Sequence, residues 1–267
     1  MSIKNTVLGT LLLFPFVICS AWAVPTTYYD IDFSSPTHTL GSAPTVGSGI
    51  DTPSSIVFGQ PTVESSLGGL TDQALVFNTT GNTNLCCYYD QIRLAMGFGS
   101  DHYQVSFDLS SEQFVNTESS NAFTVFFDTP QVRNVYFNNT GTISYHNPGV
   151  GSGVIGSFAD NQMLSMLIDI DLLASTWEIL ANGSSLFGGT FSPSGDDIES
   201  IRFSFGGVNS TNHDSVGIDN ILVTNGESIA VPEPSSLLML ILGILGLLFT
   251  RRNWLSSFQR NDNALYC

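Results

Sequence analysis

Residues 102–110 read His-Tyr-Gln-Val-Ser-Phe-Asp-Leu-Ser, with Tyr103, Val105, Phe107 and Leu109 on one face and polar side chains on the other. Successive side chains of a strand point to opposite faces, so this period-two pattern commits the stretch to a sheet with one face buried. Residues 122–127, 132–137, 142–145, 163–171, 176–181, 184–187, 200–205 and 215–224 also read as strands, with Gly, Ser, Asn and Thr at the joints. Asp128-Thr129-Pro130 has the composition of a turn. Asn182-Gly183 is a two-residue hairpin signal, because a type I′ turn needs positive φ at both central residues. No window of helical length between 24 and 228 carries a 3.6-residue period. About a dozen short strands joined by turns predict an all-β fold, a two-sheet antiparallel β-sandwich (jelly roll) over 24–228.

The two ends differ from this body. Lys4, an apolar run at 7–18 and Ala21-Trp22-Ala23 have the three parts of a secretory signal peptide. Residues 1–23 are therefore expected to form a signal helix, with cleavage after the Ala21-x-Ala23 motif. At the other end Pro232 and Pro234 bracket Glu233. Each proline fixes its own φ and pushes the preceding residue toward an extended conformation, so this peptide is stiff and poor in backbone donors. Every residue from 237 to 249 is apolar or glycine, and Arg251 and Arg252 close the run. A transmembrane helix over 235–250 with a cytoplasmic basic anchor is the expectation. Residues 253–267 follow as a cytoplasmic tail extension.

In that order these parts resemble the PEP-CTERM sorting signal of exported bacterial proteins, here at 229–252. The resemblance implies recognition of Pro232-Glu233-Pro234 by an exosortase, a membrane-embedded protease. It also implies a host that makes exopolysaccharide or biofilm, and a product at the cell surface or outside the cell.

Charge narrows the choice of partner. The chain carries 7 bases and 23 acids. Between 24 and 230 only Arg93, Arg133 and Arg202 stand against 21 acids, a net charge of −18. Such a surface repels nucleic acid and other anionic polymers unless cations bridge them. Cys86 and Cys87 are adjacent and Cys267 lies beyond the apolar run, so no disulfide framework is laid out. Stability must come from the core, for which 19 Phe and 8 Tyr are available.

The body has a resemblance of its own. Leu167-Ile-Asp-Ile-Asp-Leu172, then Trp177-Glu-Ile-Leu-Ala-Asn-Gly183, then Val216-Gly-Ile-Asp-Asn-Ile-Leu-Val223 are similar in kind and order to strands of concanavalin A-like or laminin-G-like jelly rolls. The laminarinase-type glycosidases on that fold carry Glu-x-Asp-x-x-Glu, which is absent here. Glu112, Glu118, Glu178 and Glu199 each lack an acid partner at strand spacing, and Asp169 with Asp171 reads as the solvent face of an amphipathic strand. There is no G-x-S-x-G, and His38, His102, His146 and His213 are scattered without zinc-ligand spacing.

Calcium is the metal the acids suit. Asp32 on the first strand and Asp219 on the last would meet if the terminal strands lie side by side, and Asp196-Asp197 is a second candidate. Tyr88, Tyr89, Tyr145 and Trp177 are the aromatics on which a sugar would stack. Two function classes result. One is a non-catalytic, exosortase-sorted surface or matrix protein that binds glycan. The alternative is a glycoside hydrolase using a less obvious acid pair.

Overall fold

The computed structural model describes residues 25–34, 36–59, 61–78, 90–96, 100–115, 121–128, 133–147, 150–191, 198–206 and 214–226. The expected signal peptide, the sorting signal with its membrane helix, and the tail extension lie outside them. Residues 24–227 form one compact unit.

The described residues contain fifteen strands and no helix: β1 Thr27–Ile31, β2 Ser55–Phe58, β3 Thr62–Glu64, β4 Ala74–Asn78, β5 Asp90–Ala95, β6 His102–Glu112, β7 Ala122–Asp128, β8 Arg133–Asn138, β9 Thr142–Asn147, β10 Gly151–Ser157, β11 Leu164–Asp171, β12 Thr176–Ala181, β13 Ser184–Thr190, β14 Ser200–Gly206 and β15 Ser215–Asn225. They form two antiparallel sheets. The eight-stranded sheet runs β13-β12-β11-β6-β15-β4-β3, with β1 also on β15; the seven-stranded sheet runs β10-β9-β8-β7-β14-β5-β2. This is the expected two-sheet sandwich of jelly-roll kind. Alternation does not mark β2, β3, β4, β5 and β10. Asn182 and Gly183 have φ of 49° and 73°, as the hairpin between β12 and β13 requires.

Phenylalanine closes the sandwich. Tyr103, Val105, Phe107 and Leu109 of β6 face Phe123, Val125 and Phe127 of β7 and Ile201, Phe203 and Phe205 of β14 in one core. Phe107 meets Phe203 edge-on at 5.2 Å, and Phe77 meets Phe123 at 5.4 Å, each pair joining the two sheets. Edge-to-face packing of this kind adds roughly 0.5–1.5 kcal/mol per pair beyond area burial.

One irregularity positions a later argument. On one edge β15 pairs with β6 throughout. On its other edge it pairs with β4 through 215–218 and then with β1 through 221–224. The change of partner falls at Asp219 and Asn220, where the β6 register also shifts and Asn220 has φ of 52°. A bulge there re-aims the Asp219 side chain into the gap between β1 and β4.

Candidate functional site

Four strands build a polar groove on the outer face of the eight-stranded sheet. Because Tyr103, Ile168, Ile170, Trp177 and Ile179 point into the core, their sequence neighbours point outward. Cross-strand register then aligns them. One rung reads Gln104, Asp169, Glu178, Gly188, and the next reads His102, Asp171, Thr176, Thr190. The groove encloses about 550 Å³ and is lined by members of both rungs, among them His102, Asp169, Asp171, Glu178 and Gly188.

Asp169 is fixed from two sides. Its Oδ1 lies 2.5 Å from His102 Nε2, and its Oδ2 accepts a 2.7 Å hydrogen bond from Gln104 Nε2. Glu178 stands directly opposite Asp169 on β12 and is exposed. Like charges opposite each other in a ladder repel, and the two donors on Asp169 offset that repulsion. A Cβ built at Gly188 meets nothing within 4 Å, so this glycine leaves the groove floor open beside Glu178. The result is an open site with carboxylates, hydroxyls and an imidazole converging on it, suited to hydrogen-bonding a polyhydroxylated ligand.

The pairing corrects one expectation. Glu178 is not isolated, because the β11–β12 hairpin brings Asp169 to it. Asp169 and Asp171 do lie on the solvent face, as their alternation implies, while nothing in the spacing links His102 to them. For the acid pair a signal exists. Residues 172–175 join two strands, and residues equidistant from that turn must face each other.

The expected calcium residues come together in part. β1 and β15 do lie side by side. Asp219 is buried, and its Oδ1 accepts the Phe33 N–H at 3.3 Å. Burial pushes the Asp219 carboxyl up to about 6; the Asn220 and Phe33 N–H groups oppose the rise, and the negative charges of Asp32 and Asp72 add to it. Asp32 itself turns onto its own chain, accepting hydrogen bonds from Ser34 N and Ser34 Oγ. Among the described residues no three His, Cys, Asp or Glu side chains are grouped to hold a metal ion. Asp196-Asp197 lies outside the described residues.

The aromatic candidates divide. Tyr88 and Tyr89 lie outside the described residues. Trp177 is 2% exposed and sits in the core. Tyr145 stacks on Phe187 at 4.1 Å and meets Trp177 edge-on at 5.8 Å, so both rings are used in packing. His38 is buried with its Nε2 at 2.9 Å from the Asp51 carbonyl oxygen. His146 is exposed on the other sheet, and His213 and Glu118 lie outside the described residues, as do Ala21, Ala23, Arg251 and Arg252. No helix among the described residues is long and apolar enough to cross a membrane.

A sorting address lies outside the described sandwich. Residues 230–252 match the PEP-CTERM protein-sorting motif. Pro232, Glu233 and Pro234 fall within it, and the motif implies an exported protein processed by an exosortase. No curated protein matches the sequence. In fold, the chain is similar to a carbohydrate esterase of the Shiga toxin-encoding bacteriophage phi24B (TM-score 0.53, 13% identity, covering 76% of this chain and 99% of that one). It is also similar to a sialidase (TM-score 0.51, 14% identity, 77% of this chain). The chain spans 19% of the sialidase's length. At these identities the likeness is one of fold.

Proposed function

We propose that this protein is sorted to the cell surface or extracellular matrix and binds glycan there without turning it over. The observation that carries the reading is the open groove over Asp169, Glu178 and Gly188, where the fixed Asp169 carboxylate, the exposed Glu178 and threonine hydroxyls meet a floor cleared by glycine. Carboxylates accept hydrogen bonds from adjacent sugar hydroxyls, and charge assistance roughly doubles the strength of each bond. The sorting motif and the sugar-directed enzymes of similar fold agree with this setting. The membrane helix over 235–250, its Arg251-Arg252 anchor, signal cleavage at Ala21–Ala23, a tie to exopolysaccharide or biofilm, and sugar stacking on Tyr88 and Tyr89 belong to the same proposal.

A second reading, a glycoside hydrolase, is favoured by one observation. Directly opposed residues of a ladder have Cβ atoms about 4.5–5.5 Å apart, and retaining glycosidases hold their two carboxyls about 5–5.5 Å apart. Asp169 and Glu178 are directly opposed, which puts their carboxyls within reach of that separation.

Binding of the mature protein to a glycan array, run beside hydrolysis of β-glucans, separates the two. Binding without turnover, weakened at least tenfold by Gly188→Val with the fold unchanged, is the expected result. Gly188 has ordinary φ and open space, so valine fills the groove without strain. Turnover that disappears in both Asp169→Asn and Glu178→Gln makes the protein a hydrolase. Neither binding nor turnover removes the groove reading and leaves a structural matrix role.

A further inference from the structure

The charges of the body divide between its two sheets. Arg93 is on β5, Arg133 on β8 and Arg202 on β14, so all three cations belong to the seven-stranded sheet. Arg93 stands directly opposite Arg202, just as Gln91 stands opposite Ser204, and Arg202 is paired with Asp128. The strands of the eight-stranded sheet carry no lysine or arginine. The groove over β6, β11, β12 and β13 is therefore lined by acids with no fixed cation beside them.

Three carboxylates, Asp169, Asp171 and Glu178, stand on two adjacent rungs of that groove. Such rungs are two residues apart, about 7 Å along the strand, so one ligand reaches both. The three are held differently. Asp169 is bonded by His102 and Gln104, and Asp171 Oδ1 accepts the Ala174 N–H at 2.6 Å. Glu178 is exposed and has neither a hydrogen bond nor an ion pair among the described residues. Thr176 and Thr190 line the same space and are exposed. A negative groove on a body of net charge −18 repels a ligand that carries carboxylates. It attracts one that carries ammonium groups, and partial enclosure strengthens that attraction relative to open water.

We propose that the groove takes an amino sugar, a saccharide of the glucosamine class with a free ammonium, in preference to neutral or acidic sugars. The proposal rests on the glycan-binding reading above and names the charge of its ligand. The ammonium bonds Glu178 and lies in the field of Asp169 and Asp171. Its three donors make charge-assisted bonds to carboxylate oxygens, roughly twice as strong as neutral ones. Ring hydroxyls are met by Thr176, Thr190 and the remaining lone pairs of the aspartates. A basic peptide shares the charge but not the ring hydroxyls, so oligolysine is a comparison ligand rather than the expected one.

The test is calorimetric titration of the mature protein with a glucosamine oligomer, its N-acetylated counterpart, oligogalacturonate and oligolysine. Expected is saturable binding of the glucosamine oligomer, at least tenfold tighter than of the acetylated one, and no binding of oligogalacturonate. Glu178→Gln should weaken the glucosamine oligomer at least tenfold and the acetylated one much less. Glu112→Gln removes the same charge from the far end of β6, roughly 33 Å from His102, and should change neither. Gly188→Val should weaken both oligomers by filling the groove. Equal affinity for the two oligomers overturns the amino-sugar preference while the groove reading stands, and binding of neither overturns both. Oligolysine bound as tightly as the glucosamine oligomer, or Glu112→Gln acting as strongly as Glu178→Gln, also overturns the preference, because a general negative field is then enough.

Discussion

The two outer faces of this sandwich are made by the same alternation and use polar residues in opposite ways. On the eight-stranded sheet, Asp169 is bonded by His102 and Gln104, Asp108 accepts from Ser165 Oγ and Asn220 Nδ2, and Glu178 is in water. Its polar groups are partnered or wet, and its feature is an open groove. On the seven-stranded sheet the side chains of Gln91 and Ser204 are dry and unpartnered, and Asn134, which donates its Nδ2 to the Tyr136 hydroxyl, has an unpartnered Oδ1. The first face resembles any solvated sheet with a notch cut by Gly188. The second holds buried hydrogen-bonding capacity that no partner meets, and that difference separates a face that water satisfies from one that costs the fold stability. Removing a polar group should therefore stabilise the fold on both faces, and by more on the second, where the group is dry, than on the first, where it is wet.

Gln91→Met should show the largest effect. A buried donor or acceptor left unmade costs about 1–3 kcal/mol, and methionine has a similar volume without that penalty. A gain of that order, read as a shifted midpoint in urea with unchanged slope, is expected. A loss of stability means the amide is bonded, by water or otherwise, and the contrast between the faces disappears.

The eight-stranded sheet has one conflict of its own, and it tests the claim that this sheet is the satisfied one. Asp219 is buried where β15 changes partners, and its carboxyl is raised to about 6 from an ordinary 3.8. A raised acid pKa means the folded state binds the proton more tightly, so this group's stabilising contribution is complete below about 4 and is lost as pH rises through about 6. Asp219→Asn keeps an oxygen for the Phe33 N–H and removes the charge. It should add roughly 1–3 kcal/mol at pH 7.5 and close to nothing at pH 4, in melts across that range. If the Asp219→Asn variant has the same pH profile as its parent, Asp219 has no such role.

These cases also show what a single sequence makes readable. β6, β11 and β12 are amphipathic, and their strand pattern, outward acids and hairpin are all apparent in alternation. β4 is not, because Ala74, Leu75, Val76 and Phe77 are all buried, which erases the period. β10 is an edge strand, Gly-Ser-Gly-Val-Ile-Gly-Ser, without an apolar face to detect. β5 hides the most. Gln91 and Arg93 look like ordinary surface positions, and only the register with Ser204 and Arg202 shows that they belong to one patch. The Asp169–Glu178 pair is within reach of the sequence, through counting outward from 172–175. Burial of Gln91 is not, because it depends on packing over the sheet rather than on the strand's own pattern.

A smaller effect separates the groove from an ordinary polar face. Opposed like charges cost a few tenths of a kcal/mol, so Glu178→Gln should stabilise the protein by roughly 0.5 kcal/mol in urea while weakening glycan binding in the groove. No change in stability would mean that His102 and Gln104 already neutralise Asp169 fully.

The smallest expected effect is that of calcium, and it bears on the same conflict at Asp219. A cation there draws on Asp32 and Asp219 and must complete its shell from main-chain oxygens and water, since no third side chain joins them among the described residues. Such a site is weak. A ligand that binds only the folded state adds RT ln(1 + [L]/Kd), about 0.4 kcal/mol when its concentration equals Kd. Millimolar calcium should therefore raise the melting temperature slightly at pH 7.5, where Asp219 is ionised. It should have no effect at pH 5, where most Asp219 carries its proton and offers the ion no charge. Asp219→Asn should abolish the response at pH 7.5, which separates this pair from other acids of the strongly negative body. If calcium and chelator give the same melt at pH 7.5, the metal is removed from Asp32 and Asp219. The carboxyl near 6 is then what a fold accepts when β15 must leave β4 for β1 and the side chain that meets the Phe33 N–H at that crossing is an acid.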